Sequence, residues 1–95
     1  MVAQWYKYKE MEDITMTNIE KYNKIFIDTF EITEDELPEL KYQGIEAWDS
    51  VGHMNLIAAL ENEFEIMFDT DDVIDFSSYE KGKEILAKDD YGVAF

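Results

Sequence analysis

Asp49-Ser50 stands directly ahead of an apolar-periodic run, VGHMNLIAALENEF. A serine in that place can do two kinds of chemistry. As a nucleophile it needs a base to take its proton and donors to hold an oxyanion. As the acceptor of a modifying group it needs only exposure and surroundings that tolerate added charge. The inventory for nucleophilic work is thin. The chain has one histidine, His53, and the helical wheel places it with the core stripe. His53 therefore reads as a half-buried packing residue near a helix start, and no catalytic residue is expected. The inventory for modification is good. Asp49 is a suitable N-cap, which makes Ser50 the first helical residue with its hydroxyl outward. Free N–H groups and the positive end of the helix favour an anion there, a phosphate ester included.

The helix that must carry Ser50 is predicted over 50–65. At a hundred degrees per residue, Leu56, Ile57, Leu60, Phe64 and Met67 gather with His53 on the core side. Val51, Met54 and Ala58 gather on the other side beside Glu61 and Glu65. An apolar strip rimmed by carboxylates suggests a docking surface, with Glu46 and Asp49 adding charge near the serine. An earlier helix is predicted over 17–31, opened by a capping box from Thr17 to Glu20 and carrying a stripe of Ile19, Tyr22, Phe26 and Phe30. Between the two lies a long connection, 32–48, with the only proline and one short helical turn expected around EDEL. Leu37, Leu40, Tyr42, Ile45 and Trp48 are expected to pin it to the body. A short helix is predicted at about 70–75, capped by Asp69 or Thr70, with Val73, Ile74 and Phe76 facing in. A second capping box, Ser77 to Glu80, opens a last helix that runs to about Lys88 with Tyr79, Ile85 and Leu86 on one face. The fold class that follows is all-α: a small four-helix bundle with a long loop between helices 1 and 2 and a short third helix. Residues 14–90 form the domain, 1–13 read as a mobile N-terminal extension and 91–95 as a fraying tail.

Composition bounds the partners. Ninety-five residues, 46% hydrophobic and 15% aromatic, suffice for one small core. Cysteine is absent, which removes disulfides, thiolates and cysteine–metal sites. The sequence has no apolar run long enough to span a membrane and no secretory pattern at its N-terminus, so a cytoplasmic location is expected. Twenty-three acids oppose eight lysines with no arginine, for a net charge of −15. Nucleic acid and anionic membranes are poor partners for such a chain, and basic protein surfaces are good ones.

The stretch WDSVGHMNLIAALENEF, with the order long helix, long loop, modified helix, short helix, last helix, resembles the attachment-site region of acyl carrier proteins over residues 17–88. The resemblance implies that Ser50 receives 4′-phosphopantetheine from coenzyme A, with Asp49 at the aspartate before the attachment serine and Val51 at the apolar residue after it. The arm's thiol would then carry an acyl group as a thioester. It implies a monomer, not an enzyme, served by a phosphopantetheinyl transferase and by an acyl-activating ligase or acyltransferase with basic docking patches. Those patches would meet Glu46, Asp49, Glu61 and Glu65 around Val51, Met54 and Ala58. Carriers of fatty-acid synthesis usually have acids two and five residues after the serine; here Gly52 and Asn55 stand there. That departure points to a stand-alone carrier of a specialised bacterial biosynthetic pathway. Gly52 also costs roughly 1 kcal/mol of helix propensity relative to alanine.

Two other readings come from different classes. Counted as a twelve-residue calcium loop, 69–80 offers Asp69, Asp71, Asp75, Ser77 and Glu80 at positions 1, 3, 7, 9 and 12. Its centre has Val73 and Ile74 where an oxygen donor and a glycine are needed, so no metal site is expected. The other reading is a carrier-like domain that is never modified and serves as an interaction module.

Overall fold

The computed structural model describes residues 16–95, and the extension expected at 1–13 lies outside them. The described residues form four α-helices: α1 Asn18–Phe30, α2 Ser50–Phe64, α3 Thr70–Asp75 and α4 Tyr79–Leu86. A 3-10 helix, Glu34–Glu39, lies in the connection between α1 and α2. There is no strand among the described residues, only an isolated antiparallel bridge between Lys41 and Ser78. The all-α class is thus the observed one.

α1 starts where its cap chemistry puts it. Thr17 Oγ1 accepts from the amide of Glu20, and Glu20 Oε1 accepts from the amide of Thr17 at 2.8 Å. The Thr17 amide, and then the Thr17 hydroxyl donating to the same Oε1 at 3.0 Å, hold the Glu20 carboxyl below its ordinary value. The helix ends at Glu31, which adopts the left-handed conformation with φ 55°. Tyr22, Phe26 and Phe30 recur every fourth residue, so all three fall on one face and are buried. Phe26 is the hub. Its ring lies 4.8 Å from Tyr22, 5.6 Å from Trp48 and 5.4 Å from Tyr79, each edge to face. Such pairs add about 0.5–1.5 kcal/mol each beyond the area they bury.

α4 reaches this stack because of a glycine. A Cβ on Gly82 would stand 2.2 Å from both Phe76 Cζ and Tyr22 Oη. With no side chain there, the Tyr22 hydroxyl passes over α4 and donates to the carbonyl of Tyr79 at 2.7 Å. Burial pushes that phenol far above its ordinary value. Tyr79 in turn donates to Asn23 Oδ1 on α1.

The connection between α1 and α2 is more ordered than its composition suggests. Thr33 and Glu36 make a second capping box, with the Thr33 amide donating to Glu36 Oε2 at 2.9 Å. Leu37, Leu40 and Trp48 are buried, while Tyr42 and Ile45 pack half-buried against the core. The amide of Tyr42 donates to Ser77 O, and that of Tyr79 to Leu40 O, both at 2.9 Å. These bonds lash the connection to the start of α4.

Four expectations require correction. The last helix is capped by Ser78, whose Oγ accepts from the Lys81 amide at 3.0 Å, and not by Ser77, whose carbonyl is taken by Tyr42. It ends at Leu86 rather than Lys88. Ile74 does not face in: it is 73% exposed. Asp72 and Phe76, one turn apart, take the inward places on α3, so Ile74 between them must point out. Met67 is 82% exposed because α2 stops at Phe64 and Glu65 turns left-handed, which breaks the wheel that put Met67 with the core.

Residues 91–95, expected to fray, are packed instead. Val93 is buried, and its amide donates to Leu86 O at 2.9 Å. Asn18 Nδ2 donates to Ala94 O at 3.0 Å, and the Phe95 ring sits 5.2 Å from Tyr22. The latch behind this is Asp72. Lys88 Nζ donates to its Oδ1 at 2.7 Å and Tyr91 Oη to its Oδ2 at 2.6 Å. The Tyr91 oxygen also accepts from the Asp69 amide at 2.9 Å. Those donors, Lys88 first, hold the Asp72 carboxyl below its ordinary value of 3.8. Burial and the Asp72 bond push the Tyr91 phenol up to about 12.

A depressed carboxyl stabilises the fold above its unfolded-state value and loses that contribution as pH falls through the folded one. Asp72→Asn is therefore expected to cost about 1.5–3 kcal/mol at neutral pH, the range for hydrogen bonds to a charged group. The gap to the wild type should close below about pH 4, as the unfolded and then the folded carboxyl protonates. Denaturant melts of both proteins from pH 7 downward measure it; a gap that stays constant with pH would show that the charge on Asp72 does not hold the latch.

Candidate functional site

Ser50 is the first residue of α2, and Asp49 caps it. The Asp49 carboxylate accepts from the Gly52 amide at 2.8 Å, and its carbonyl accepts from the His53 amide at 2.8 Å. The amides of Ser50 and Val51 lie ahead of the helical ladder. The turn leading into the cap is tight. Gln43 is left-handed with φ 63°, its amide donates to Trp48 O at 2.9 Å, and the Gly44 amide donates to Lys41 O at 2.8 Å. Ser50 itself is exposed.

His53 is not available to Ser50 as a base. Its Nδ1 accepts from the buried Trp48 indole N–H at 2.9 Å, so the ring proton sits on Nε2 and donates to Val73 O at 2.8 Å. The imidazole plane is 16° from parallel to that of the indole, with centroids 6.1 Å apart, as an in-plane N–H···N bond requires. Both ring nitrogens are used in joining α2 to the preceding loop and to α3. The partner of the Ser50 hydroxyl is instead Tyr42, with Oη 3.2 Å from Oγ. Tyr42, His53, Val73, Ile74, Phe76 and Ser77 enclose a cleft of about 260 Å³ next to the serine.

The other expected positions divide. Val51 is 70% and Met54 56% exposed, one turn apart on α2. Ala58, Glu65, Glu46 and Asp49 are exposed as well. Glu61 is the exception: it is half-buried, and its Oε2 accepts from the Phe68 amide at 3.0 Å, so it caps the turn after α2. The calcium frame at 69–80 coincides with α3, which is helical across its middle. Among the described residues no group of three or more His, Cys, Asp or Glu side chains is placed to hold a metal ion.

Tyr42 was missed as a neighbour of the serine, and Ile74 as a wall of the cleft that Tyr42 lines. Tyr42 is eight residues away along an irregular loop, so no periodicity links the two. Ile74 lies in a six-residue helix, too short to define a face from sequence. Gly52 has a packing reason that the propensity reading lacked. A Cβ there would stand 2.0 Å from the carbonyl oxygen of Ala47 and 3.3 Å from the Phe30 ring. The backbone of the turn crosses α2 at that point, and only glycine lets it pass.

No helix among the described residues is long and apolar enough to cross a membrane. No family model, no curated protein and no solved structure matches the chain.

Helix propensity alone predicts that Gly52→Ala stabilises α2 by about 1 kcal/mol. The Ala47 contact predicts the reverse, a loss of about 1–3 kcal/mol as the turn is forced off the helix. Thermal melts decide between the two signs, and a variant that melts above the wild type would mean the turn can move aside freely.

Proposed function

We propose that the chain is an acyl carrier protein whose Ser50 takes 4′-phosphopantetheine. On this reading the four α-helices form the carrier's bundle, with residues 31–49 as its long first loop and α3 as its short third helix. The observation that carries the reading is an exposed serine hydroxyl at the first position of a capped α-helix, beside a cleft and with no base committed to it. The protein does not act as an enzyme; it presents a cargo. The setting is the cytoplasm of a bacterium, in a specialised biosynthetic pathway.

The residues around Ser50 fit the group. A phosphodiester brings one negative charge, and the amides of Ser50 and Val51 at the positive end of α2 suit it. The Tyr42 hydroxyl is within reach of the same oxygen. When bound, the group supplies a thiol that carries an acyl chain as a thioester. In loading, Ser50 Oγ bonds to the pantetheine-bearing phosphorus of coenzyme A and gives its proton to a base of the transferase. The pyrophosphate P–O bond breaks and 3′,5′-adenosine bisphosphate leaves.

The surface near Ser50 supports recognition by basic partners: a phosphopantetheinyl transferase, then an acyl-activating ligase or an acyltransferase. Val51 and Met54 offer an apolar centre, with Ala58 farther along the helix. Glu46, Asp49 and Glu65 offer exposed carboxylates, and Glu61 contributes what its bond to Phe68 leaves free. The net charge of −15 speeds encounter with a positive surface and makes that encounter salt-sensitive. The closed aromatic core around Phe26 and a cleft of about 260 Å³ favour a short cargo.

Incubation with coenzyme A and a phosphopantetheinyl transferase should add one phosphopantetheine to the wild type and none to Ser50→Ala, read by intact mass. A wild type that stays unmodified with every transferase tried would favour the interaction-module reading. Met54→Glu should slow loading several-fold while shifting stability by about 0.5 kcal/mol or less, as surface changes usually do. Loading rates measured beside thermal melts check this; wild-type loading by a normally melting variant would move the docking surface off α2.

A further inference from the structure

We infer that Tyr42 is a positioning residue for the group on Ser50, its phenolic O–H donating to the phosphodiester and directing the arm across the neighbouring cleft. The inference rests on the carrier reading and adds to it a residue that the Asp49-Ser50 motif does not contain. Its basis is the hydroxyl pair, with Tyr42 Oη 3.2 Å from Ser50 Oγ. In the unmodified protein either oxygen can donate. Esterification removes the serine's hydrogen, so Ser50 Oγ becomes an acceptor only. Tyr42 must then be the donor. The anionic phosphate oxygens, one bond further out, are better acceptors than the bridging ester oxygen, and a charge-assisted O–H···O⁻ bond is roughly twice as strong as a neutral one.

The phenol is held in place before any arm arrives. The Tyr42 amide is bonded to Ser77 O at 2.9 Å, and its neighbour Lys41 bridges Ser78. Its ring meets Trp48 edge to face at 6.4 Å and His53 at 5.4 Å. Both of those rings are fixed by the Trp48–His53 hydrogen bond. A donor whose rotamer is locked by packing on two sides orients its partner without a further ordering cost. Tyr42 is also a wall of the cleft that runs under Ile74 and Phe76. A bond from its hydroxyl fixes the first atoms of the arm on that side, so the rest leaves Ser50 toward the cleft rather than along α2.

The test uses the full chain, loaded with phosphopantetheine, as wild type and as Tyr42→Phe. The variant keeps the ring contacts and removes only the hydroxyl. The expected result is that both proteins take one arm by mass. The phosphorus-31 resonance of the wild type should be displaced from its position in denaturant, and Tyr42→Phe should lose at least half of that displacement. A second measurement needs no variant: the Tyr42 carbon-13ζ resonance of the wild type should move on loading, because its hydroxyl changes from a shared to an obligate donor. A phosphorus resonance identical in the two loaded proteins, or a Tyr42 carbon that does not move, would overturn the inference and leave the carrier reading standing. Failure of both proteins to take the arm would overturn the carrier reading, and the inference with it.

Discussion

A buried indole must find an acceptor for its N–H, and here the acceptor is a histidine on the next element. Trp48 has no exposed surface. Its N–H goes to His53 Nδ1, and His53 Nε2–H goes to the Val73 carbonyl. Through this relay one buried donor ties the end of the first connection to α2, and α2 to α3. The indole also stacks on Phe30 at 5.2 Å, which brings in α1. Left unpaired, a buried N–H costs about 1–3 kcal/mol. The turn that presents Ser50 closes immediately before α2, through the Gln43 amide on the Trp48 carbonyl. The position of the serine is therefore a consequence of where the indole is held. The same relay occupies both ring nitrogens of the chain's one histidine, so neither is free to take a proton from Ser50.

The surplus of acid is carried with little internal compensation. Lys24–Asp28, Lys81–Glu84 and Lys83–Glu80 are ion pairs within single helices whose carboxylates are more than half exposed. Pairs of this kind contribute about 0.3–0.5 kcal/mol each. Lys88–Asp72 differs because Asp72 is almost wholly buried and also accepts from Tyr91. Acid placement helps where it can: Glu20, Asp71, Asp72 and Glu80 lie in the first turns of their helices, where the macrodipole favours them. Asp49, Glu36 and Glu61 serve the fold in another way, as acceptors for backbone amides at helix starts and in the turn after α2.

What sequence could and could not reveal follows from the range of each interaction. α1 and α2 were legible because each carries a cap and several turns of periodic side chains; Thr17, Glu20 and Asp49 act as their residue types predict. The register of Tyr22, Phe26 and Phe30 was equally plain. α3 was located, and Val73 and Phe76 face the core as expected, but Ile74 was misassigned because Asp72 took an inward place. Nothing local announces that Asp72 will be satisfied by Lys88 and Tyr91, sixteen and nineteen residues later. The packing of the last five residues was hidden for the same reason. At the site, Ser50 and its cap are local and were found; Tyr42 arrives through loop closure and was not.

Gly52 joins the packing problem to the functional one. Carriers of fatty-acid synthesis usually have an acid two residues after the serine, and the resemblance alone ties its absence here to a specialised type of carrier. The geometry gives a different cause. The Ala47 carbonyl occupies the space a side chain would need, so no acid can stand there while the turn keeps its present path. The first turn of α2 accordingly has no acid at all. Carboxylates near Ser50 come from the loop side, at Glu46 and Asp49, and the helix side offers Val51 and Met54 instead. On the carrier reading, a basic partner at the serine would meet charge on one flank and apolar surface on the other, and a rotated partner would set its basic groups against Val51 and Met54 and leave the carboxylates unpaired.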